Sequence, residues 1–130
     1  MIANHLETVR RICLALPEAT EKLAWGEPTF RVKGKLFAMY ANADNHHGGG
    51  RHALWCHAPS GTQEGLVEAA PDRFFVPPYV GKRGWIGVWL DRVDELELEL
   101  HVHRAYCVVA PKRLRSHVEE TDFRVDKTSR

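Results

Sequence analysis

Residues 25–38 read WGEPTFRVKGKLFA, and in them two apolar, aromatic-containing runs flank the turn Lys33-Gly34-Lys35. Glycine permits a tight turn, and the neighbouring cations must then point into solvent. Phe30 and Val32 alternate with polar residues, as on one face of a β-strand. These residues therefore predict a β-hairpin with a basic tip.

A second turn of the same kind, at residues 80–85 (VGKRGW), also lies between apolar runs. Two basic tips on one small sheet predict a site at which a polyanion is held. Ordinary solvated turns have the same composition, so the pattern alone leaves both interpretations open.

The composition is that of a single soluble globular domain. The chain has 130 residues, of which 44% are hydrophobic and 27% are charged, and this length allows a real hydrophobic core. Its 18 Lys and Arg against 17 Asp and Glu give a net charge of +1, well short of the strongly basic character of many nucleic-acid-binding domains. Any site for a polyanion must therefore come from the placement of the charges.

The three cysteines, Cys13, Cys56 and Cys107, are far apart, and none forms a CxxC pair. Their odd number and spacing argue against a disulfide framework and a structural zinc site, and their apolar neighbours predict buried free thiols. A reducing compartment fits this pattern. Because there is no signal-peptide apolar region and no apolar run of membrane-spanning length, we expect a cytoplasmic protein without a membrane partner.

The periodicity of apolar residues predicts one helix followed mostly by strands. An amphipathic helix is expected over residues 2–16, ended by Pro17. Ser60 or Thr62 is expected to cap a short helix that reaches Ala70. Gly26-Glu27-Pro28 is predicted as a turn, and residues 43–51 as a flexible Gly-rich loop. The predicted strands cover residues 21–25, 29–33, 36–42, 52–58, 73–76 and 84–90.

Residues 94–109 fit two structures. Residues 95–103 (ELELELHVH) alternate strictly, as in a strand, whereas Val93, Leu96, Leu100, His103 and Cys107 recur at helical spacing. The length of the segment and its Glu and Leu content favour a helix, but periodicity alone leaves the two structures evenly matched.

Several motifs, in this order along the chain, resemble those of the MmcQ/YjbR-like family of small bacterial proteins. They are Leu16-Pro17-Glu18-Ala19, residues 25–38, Pro77-Pro78-Tyr79-Val80-Gly81, Gly84-Trp85-Ile86-Gly87-Val88, Ala105-Tyr106 and residues 109–114 (VAPKRL). The similarity covers roughly residues 5–115.

The resemblance implies a single α+β domain, which we place at residues 1–115, and the polar composition of residues 116–130 predicts a C-terminal tail. The expected fold is CyaY-like (frataxin-like): an antiparallel β-sheet with the N-terminal and C-terminal helices packed on one face. The resemblance also implies that residues 94–109 form a helix. For function, it implies DNA binding through a "double wing" of two hairpins, and it brings no established catalytic residues.

In a nucleic-acid-binding protein the two turns would contact phosphates, because duplex affinity rests mainly on cations that reach them. Tyr79 and Trp85 flank the second tip and would stack on bases or support the tip. No predicted helix has the basic face of a recognition helix that binds in the DNA major groove. We therefore expect DNA binding to be weak and tolerant of sequence. The predicted phosphate contacts are Arg31, Lys33, Lys35, Lys82 and Arg83, with Lys112, Arg113 and Arg115 as an extension.

Neither a metal site nor catalysis is predicted. His46, His47 and His52 lie close together, but such spacings are weak without a matching carboxylate or Cys ligand. No GxSxG, HExxH or P-loop motif is present. Cys56 and His57 are neighbours on one predicted strand and point to opposite faces, which prevents a nucleophile–base pair. We therefore expect a non-enzymatic protein with no metal and no cofactor.

The alternative function is an interaction module that binds a small molecule or a protein partner in an aromatic cleft. Pro77-Pro78-Tyr79 lies beside Trp85 and Trp89 and is suited to line such a cleft. The same rings could instead fill the core, and this is the place we expect for Trp55 and Trp89. For Trp25 and Trp85 the sequence does not decide between the core and the cleft. A continuous positive face joining the two tips would favour nucleic acid, and a concave aromatic pocket would favour the alternative. A monomer is favoured in either case.

Overall fold

The computed structural model describes residues 4–44 and 50–118 of the chain. Its elements, in chain order, are α1 (His5–Leu14), β1 (Ala19–Ala24), β2 (Glu27–Val32), β3 (Lys35–Ala41), β4 (Ala53–Cys56), α2 (Thr62–Ala69), β5 (Phe74–Phe75), a 3-10 turn (Gly81–Arg83), β6 (Ile86–Trp89) and α3 (Glu95–Val109). Residues 112–118 are helical as well. Most of the loop predicted at residues 43–51, and residues 119–130 of the predicted tail, lie outside the described residues.

The strands form one antiparallel sheet in the order β1-β2-β3-β4-β6-β5. The basic hairpin predicted from the sequence is confirmed, because Val32 pairs with Lys35 across Lys33-Gly34. Both turn residues have positive φ angles, +52° and +78°. Two left-handed residues give a turn whose twist matches that of the flanking strands, and glycine adopts this conformation without a Cβ clash.

The helices pack on one face of the sheet, as expected, and enclose the main hydrophobic core. α1 contributes Val9, Ile12 and Cys13, which form a stripe at three- and four-residue spacing. Phe37 of β3 and Tyr106 of α3 meet edge to face, with their ring centroids 5.6 Å apart. The core therefore joins the first and last helices to the middle of the sheet.

Residues 95–109 are helical, as the resemblance implied. The Glu97 amide donates a hydrogen bond of 2.8 Å to the side chain of Asp94, which caps α3. Both the alternation and the helical spacing proposed from the sequence place Leu96 and Leu100 on the buried side, but the two residues are exposed. The helix therefore buries a different face from the one predicted, which consists of Leu98, His101, Val102, Ala105 and Tyr106.

Two local predictions are wrong in detail. Glu27-Pro28 belongs to β2, and the chain turns at Trp25-Gly26, where both φ angles are positive (+56° and +77°). The N-cap of α2 is Gly61, and no side chain caps that helix, although the sequence favours Ser60 or Thr62. Such details depend on how the chain approaches the next element, which local composition does not specify.

The second predicted hairpin tip is a longer connection and not a tight turn. β5 and β6 are antiparallel neighbours, but residues 76–85 join them and contain the 3-10 turn. We call this segment the β5–β6 connection. Its two cations, Lys82 and Arg83, are exposed within that 3-10 turn.

Packing continues past residue 115, where the sequence places the end of the domain. Leu114 and Val118 belong to the main core, so the helical segment at residues 112–118 is held against α3 and the sheet. The division into a domain and a polar tail stays a prediction, because residues 119–130 are not described.

The face of the sheet opposite the helices, which we call the open face, carries a second apolar cluster. It consists of Met39, Ala41, Ala53, Trp55 and Trp85, with Leu36, Phe75, Val80 and Trp89 partly buried around it. β3 and β4 are thus apolar on both faces, a pattern usual in sheets that are covered on both sides. Here the helices of the described residues cover only one side, so the second cluster needs another explanation.

Candidate ligand-binding groove

A groove of about 610 Å³ lies over the second apolar cluster on the open face. Met39 and Trp55 are paired across β3 and β4 and form its floor. Its lining consists of Trp25, Leu36, Met39, Trp55, Tyr79, Val80 and Trp85. The volume falls within the range of about 300–1,000 Å³ that is usual for small-molecule sites, which are mostly apolar and aromatic in the same way.

The wall of the groove on the β6 side is the β5–β6 connection. The Gln63 side chain of α2 donates two hydrogen bonds to it, to the carbonyls of Gly81 at 2.8 Å and Trp85 at 2.7 Å. At Gly81 a Cβ atom would lie 2.6 Å from Cγ1 of Val76, so a larger residue there would force the Val76 side chain to move. α2 therefore holds Val80 and Trp85 in place along the groove.

The rim of the groove consists of two exposed aromatic side chains. Trp25 is 65% exposed and Tyr79 is 75% exposed. Their φ angles are +56° and +65°, a left-handed conformation that costs a residue with a Cβ atom about 1 kcal/mol. Strain and exposure of apolar surface thus coincide at the mouth of the groove, a combination that is common at binding sites.

Trp89 lies next to the groove but does not line it. Its ring stacks on Phe75 at 4.1 Å between centroids, and the Arg51 guanidinium lies 4.0 Å over it. The prediction that Trp89 fills the main core is therefore wrong. Trp55 is buried as expected, but in the second apolar cluster on the open face.

Arg31 projects from the open face beside the groove. Phe30 and Val32 belong to the main core, so the residue between them points to the other face. Arg31 pairs in register with Leu36, which lines the groove. Its Nε atom is buried and, within the described part of the chain, has no hydrogen-bond partner.

The first basic tip is partly neutralised. The Lys33 ammonium lies 2.7 Å from the Glu18 carboxylate, and the Arg113 guanidinium lies 3.3 Å from the same group. These two cations, Lys33 first, lower the pKa of Glu18 below its usual value. Lys35 and Lys112 are exposed.

The residues predicted to bind nucleic acid are thus distributed over several surfaces. Lys33 and Arg113 converge on Glu18, whereas Tyr79 and Trp85 belong to the groove. Lys82 and Arg83 line a separate cavity beside His57. The structure brings parts of the predicted site together but does not test the role assigned to these residues.

The sequence did not predict several residues of the groove as site residues, above all Leu36, Met39 and Val80. A signal for two of them exists in residues 36–41 (LFAMYA), where both strand faces are apolar. In an antiparallel sheet with helices on one side, that pattern indicates an additional apolar surface on the other. Val80 carries no such signal, because it lies in an irregular connection.

Cys56 and His57 are directed to opposite faces, as predicted. Cys56 belongs to the main core, and the His57 ring lies 5.1 Å from that of Trp85 on the open face. Burial raises the pKa of the Cys56 thiol to about 12, so this group is protonated at neutral pH. In residues 4–44 and 50–118, no three His, Cys, Asp or Glu side chains are grouped so that they could hold a metal ion.

The fold and the groove define a class of small α+β proteins, in which one face of a six-stranded antiparallel sheet is covered by helices. A family model named YjbR matches residues 14–108, which is most of the chain. The chain therefore belongs to the YjbR family, and the resemblance seen in its motifs is confirmed.

Comparison with solved structures supports the same fold. The crystal structure of the Deinococcus radiodurans protein DR2400, which carries the family-model domain DUF419, matches with a TM-score of 0.70 and 20% sequence identity. The match covers 88% of this chain and 87% of that one. A search of curated proteins found no match. Among the described residues, no helix is both long and apolar enough to cross a membrane.

Proposed function

We propose that this protein is a non-enzymatic binding module that takes up a small, flat, largely apolar molecule in the groove. The observation that carries this proposal is the concave lining of four aromatic side chains, Trp25, Trp55, Tyr79 and Trp85. Flat apolar molecules gain both from removal of their surface from water and from stacking on such rings.

The position of the rim supports the same function. Trp25 and Tyr79 come from connections at different places in the chain, yet both line the groove. A planar ligand that lies between them would bury apolar surface that is now in water. Both rings already line the groove, so a ligand meets a formed site and less conformational freedom is lost than if the site had to assemble on binding.

Binding is tested with N-phenyl-1-naphthylamine, an uncharged aromatic probe whose fluorescence rises in apolar surroundings. We expect saturable binding at one site, and replacement of Trp25 or Tyr79 by alanine should weaken it about fivefold each, since one aromatic contact contributes about 1 kcal/mol. Fluorescence titration of the wild type and both variants measures this effect.

Two further variants serve as controls for the groove. Leu23→Ala removes a side chain that is 72% exposed near Trp25 but outside the groove lining, and Tyr79→Phe keeps the ring. Both should retain the wild-type affinity. Equal affinity in all five proteins would show that the probe binds elsewhere, and the proposal would then fail.

Nucleic acid remains a second candidate because the two basic segments lie at one end of the sheet. β3 and β6 are both antiparallel to β4, so both strands begin at the same end. Lys33-Gly34 precedes β3, and the cations of the β5–β6 connection precede β6. Lys35, Lys82 and Arg83 form no ion pair within the described ranges, so they are available for phosphates.

This candidate is tested by fluorescence anisotropy with labelled single- and double-stranded DNA at two salt concentrations. If the DNA binds, the triple variant Lys35→Ala, Lys82→Ala, Arg83→Ala should flatten the log–log salt dependence by roughly 0.9 per lost duplex contact. Lys33→Ala is the matched control. It should change the salt dependence of DNA binding little, because Lys33 already pairs with Glu18. No binding by the wild type at low salt would eliminate the nucleic-acid candidate.

A further inference from the structure

A second cavity, of about 470 Å³, lies on the side of the β5–β6 connection that faces α2. The backbone of Gly81 and Gly84, the start of α2 and Val108 of α3 form part of its wall. Its polar side chains are those of His57, Ser60, Gln63, Glu64, Lys82 and Arg83. This mixed polar lining differs from that of the aromatic groove.

The two cations of this cavity have no carboxylate partner among residues 4–44 and 50–118. Neither Lys82 nor Arg83 forms an ion pair with a carboxylate in the described part of the chain, although Glu64 also lines the cavity. In contrast, Lys33, Arg51, Arg73 and Arg113 each pair with a carboxylate at 3.3 Å or less. Two adjacent unpaired cations that line one cavity attract an anion.

His57 adds a neutral hydrogen-bond donor to the same cavity. Its Nδ1 atom accepts a hydrogen bond of 3.1 Å from the Ala58 amide, so the proton of the neutral imidazole resides on Nε2. Burial, and to a lesser degree the positive charge of Arg83, lower the pKa of His57. His57 and Arg83 line the same cavity, so both can act on one bound group.

We propose that the second cavity binds a phosphate group, with Lys82 and Arg83 as its charged partners and the His57 imidazole as a hydrogen-bond donor. A guanidinium and an ammonium together match the double negative charge of a phosphate monoester or of inorganic phosphate. This site is separate from the groove, and the inference does not depend on the function proposed for it.

The remaining polar groups indicate what else the ligand contains. Both hydrogens of the Gln63 amide nitrogen are donated to the backbone, so its oxygen is left as an acceptor. The Glu64 carboxylate is an acceptor too, and it repels phosphate. These two acceptors suit hydroxyl groups on the part of the ligand away from the phosphate. The geometry thus favours the phosphate ester of a small polyhydroxy compound over free phosphate.

The test is an NMR titration of the ¹⁵N-labelled protein at constant ionic strength with glycerol 3-phosphate, inorganic phosphate and glycerol. The amides of Gly61, Gly81 and Gly84 lie at the cavity and report directly on it. We expect saturable shifts of these signals with both anions and none with glycerol. Tighter binding of the ester would identify an ester as the ligand, and equal binding would identify phosphate itself; either result supports a phosphate site.

Variants distinguish this site from general attraction of anions to the surface. Lys82→Ala and Arg83→Ala should each weaken binding about tenfold, as expected for the loss of one charge-assisted hydrogen bond. Lys35→Ala, an exposed cation outside the cavity, should leave the affinity unchanged, and the spectra themselves report whether each variant is folded. The proposal is overturned if neither anion gives saturable shifts or if Lys35→Ala weakens binding as much as Arg83→Ala.

Two further outcomes separate this inference from the other candidates. If a DNA duplex shifts the three glycine signals and neither small anion does, the phosphate site is wrong and the nucleic-acid candidate is strengthened. Weaker naphthylamine binding in the Trp25→Ala variant with unchanged phosphate binding would show that the groove and the second cavity are independent sites, as proposed.

Discussion

Replacing Tyr106 by alanine should lower the free energy of unfolding by about 4 kcal/mol. The Tyr106 side chain is fully buried and packs edge to face on Phe37. Its hydroxyl donates a hydrogen bond of 2.7 Å to the Pro17 carbonyl. One residue thus ties α3 to the sheet and to the segment that follows α1, and its removal leaves a large cavity and an unsatisfied carbonyl.

Urea denaturation of two variants separates these contributions. Tyr106→Phe keeps the ring and should cost about 1 kcal/mol for the lost hydrogen bond. The control is Val108→Ala, at a partly exposed position of the same helix. It should change the free energy of unfolding by less than either Tyr106 variant does. If Tyr106→Ala were no more destabilising than Val108→Ala, the packing of α3 described above would be incorrect.

Replacing Gly87 by alanine should destabilise the protein by about 3 kcal/mol, because the Phe75 ring occupies the space of the added methyl group. A Cβ atom on Gly87 would lie 2.3–2.4 Å from three carbons of that ring. The ring cannot shift freely, since it also stacks on Trp89 at 4.1 Å. The substitution therefore disturbs the edge of the sheet next to the groove.

Gly65→Ala is the matched control for this substitution. Gly65 lies within α2, and a Cβ atom there would meet nothing within 4 Å. Alanine at that position should stabilise the protein by about 0.5 kcal/mol or more, since glycine is a poor helix former. Urea denaturation should therefore show a lower free energy of unfolding for Gly87→Ala and a higher one for Gly65→Ala. A neutral or stabilising Gly87→Ala would contradict the close contact with Phe75.

Much of the fold was predictable because its signals are local. The turn at Lys33-Gly34 requires left-handed residues next to each other, and the alternation of Phe30 and Val32 assigns one strand face to the core. The N-terminal helix follows from the spacing of Val9, Ile12 and Cys13. For residues 94–109 the periodicity of apolar residues did not distinguish a helix from a strand, and the family resemblance was needed to predict the helix.

The candidate sites were less predictable than the fold, although the sequence indicated several of their residues as ligand contacts. Tyr79 and Trp85 were singled out as stacking residues, and they lie in the groove. The sequence predicts Lys33 as a phosphate contact, and in the structure it pairs with Glu18. Such a pair depends on how β1 and β2 lie beside each other, and charge counting along the chain does not reveal it.

From the amino-acid order alone follow the α+β class, the family, the basic hairpin and the amphipathic face of the first helix. All of these depend on residues within a few positions of one another or on motifs in a given order. The groove and the second cavity depend on contacts between distant segments, such as those from Gln63 to residues 18 and 22 positions away. Tertiary packing therefore determined which aromatic rings form a concave surface and which cations stay unpaired, since both properties arise only when sheet order and loop placement bring separate segments together.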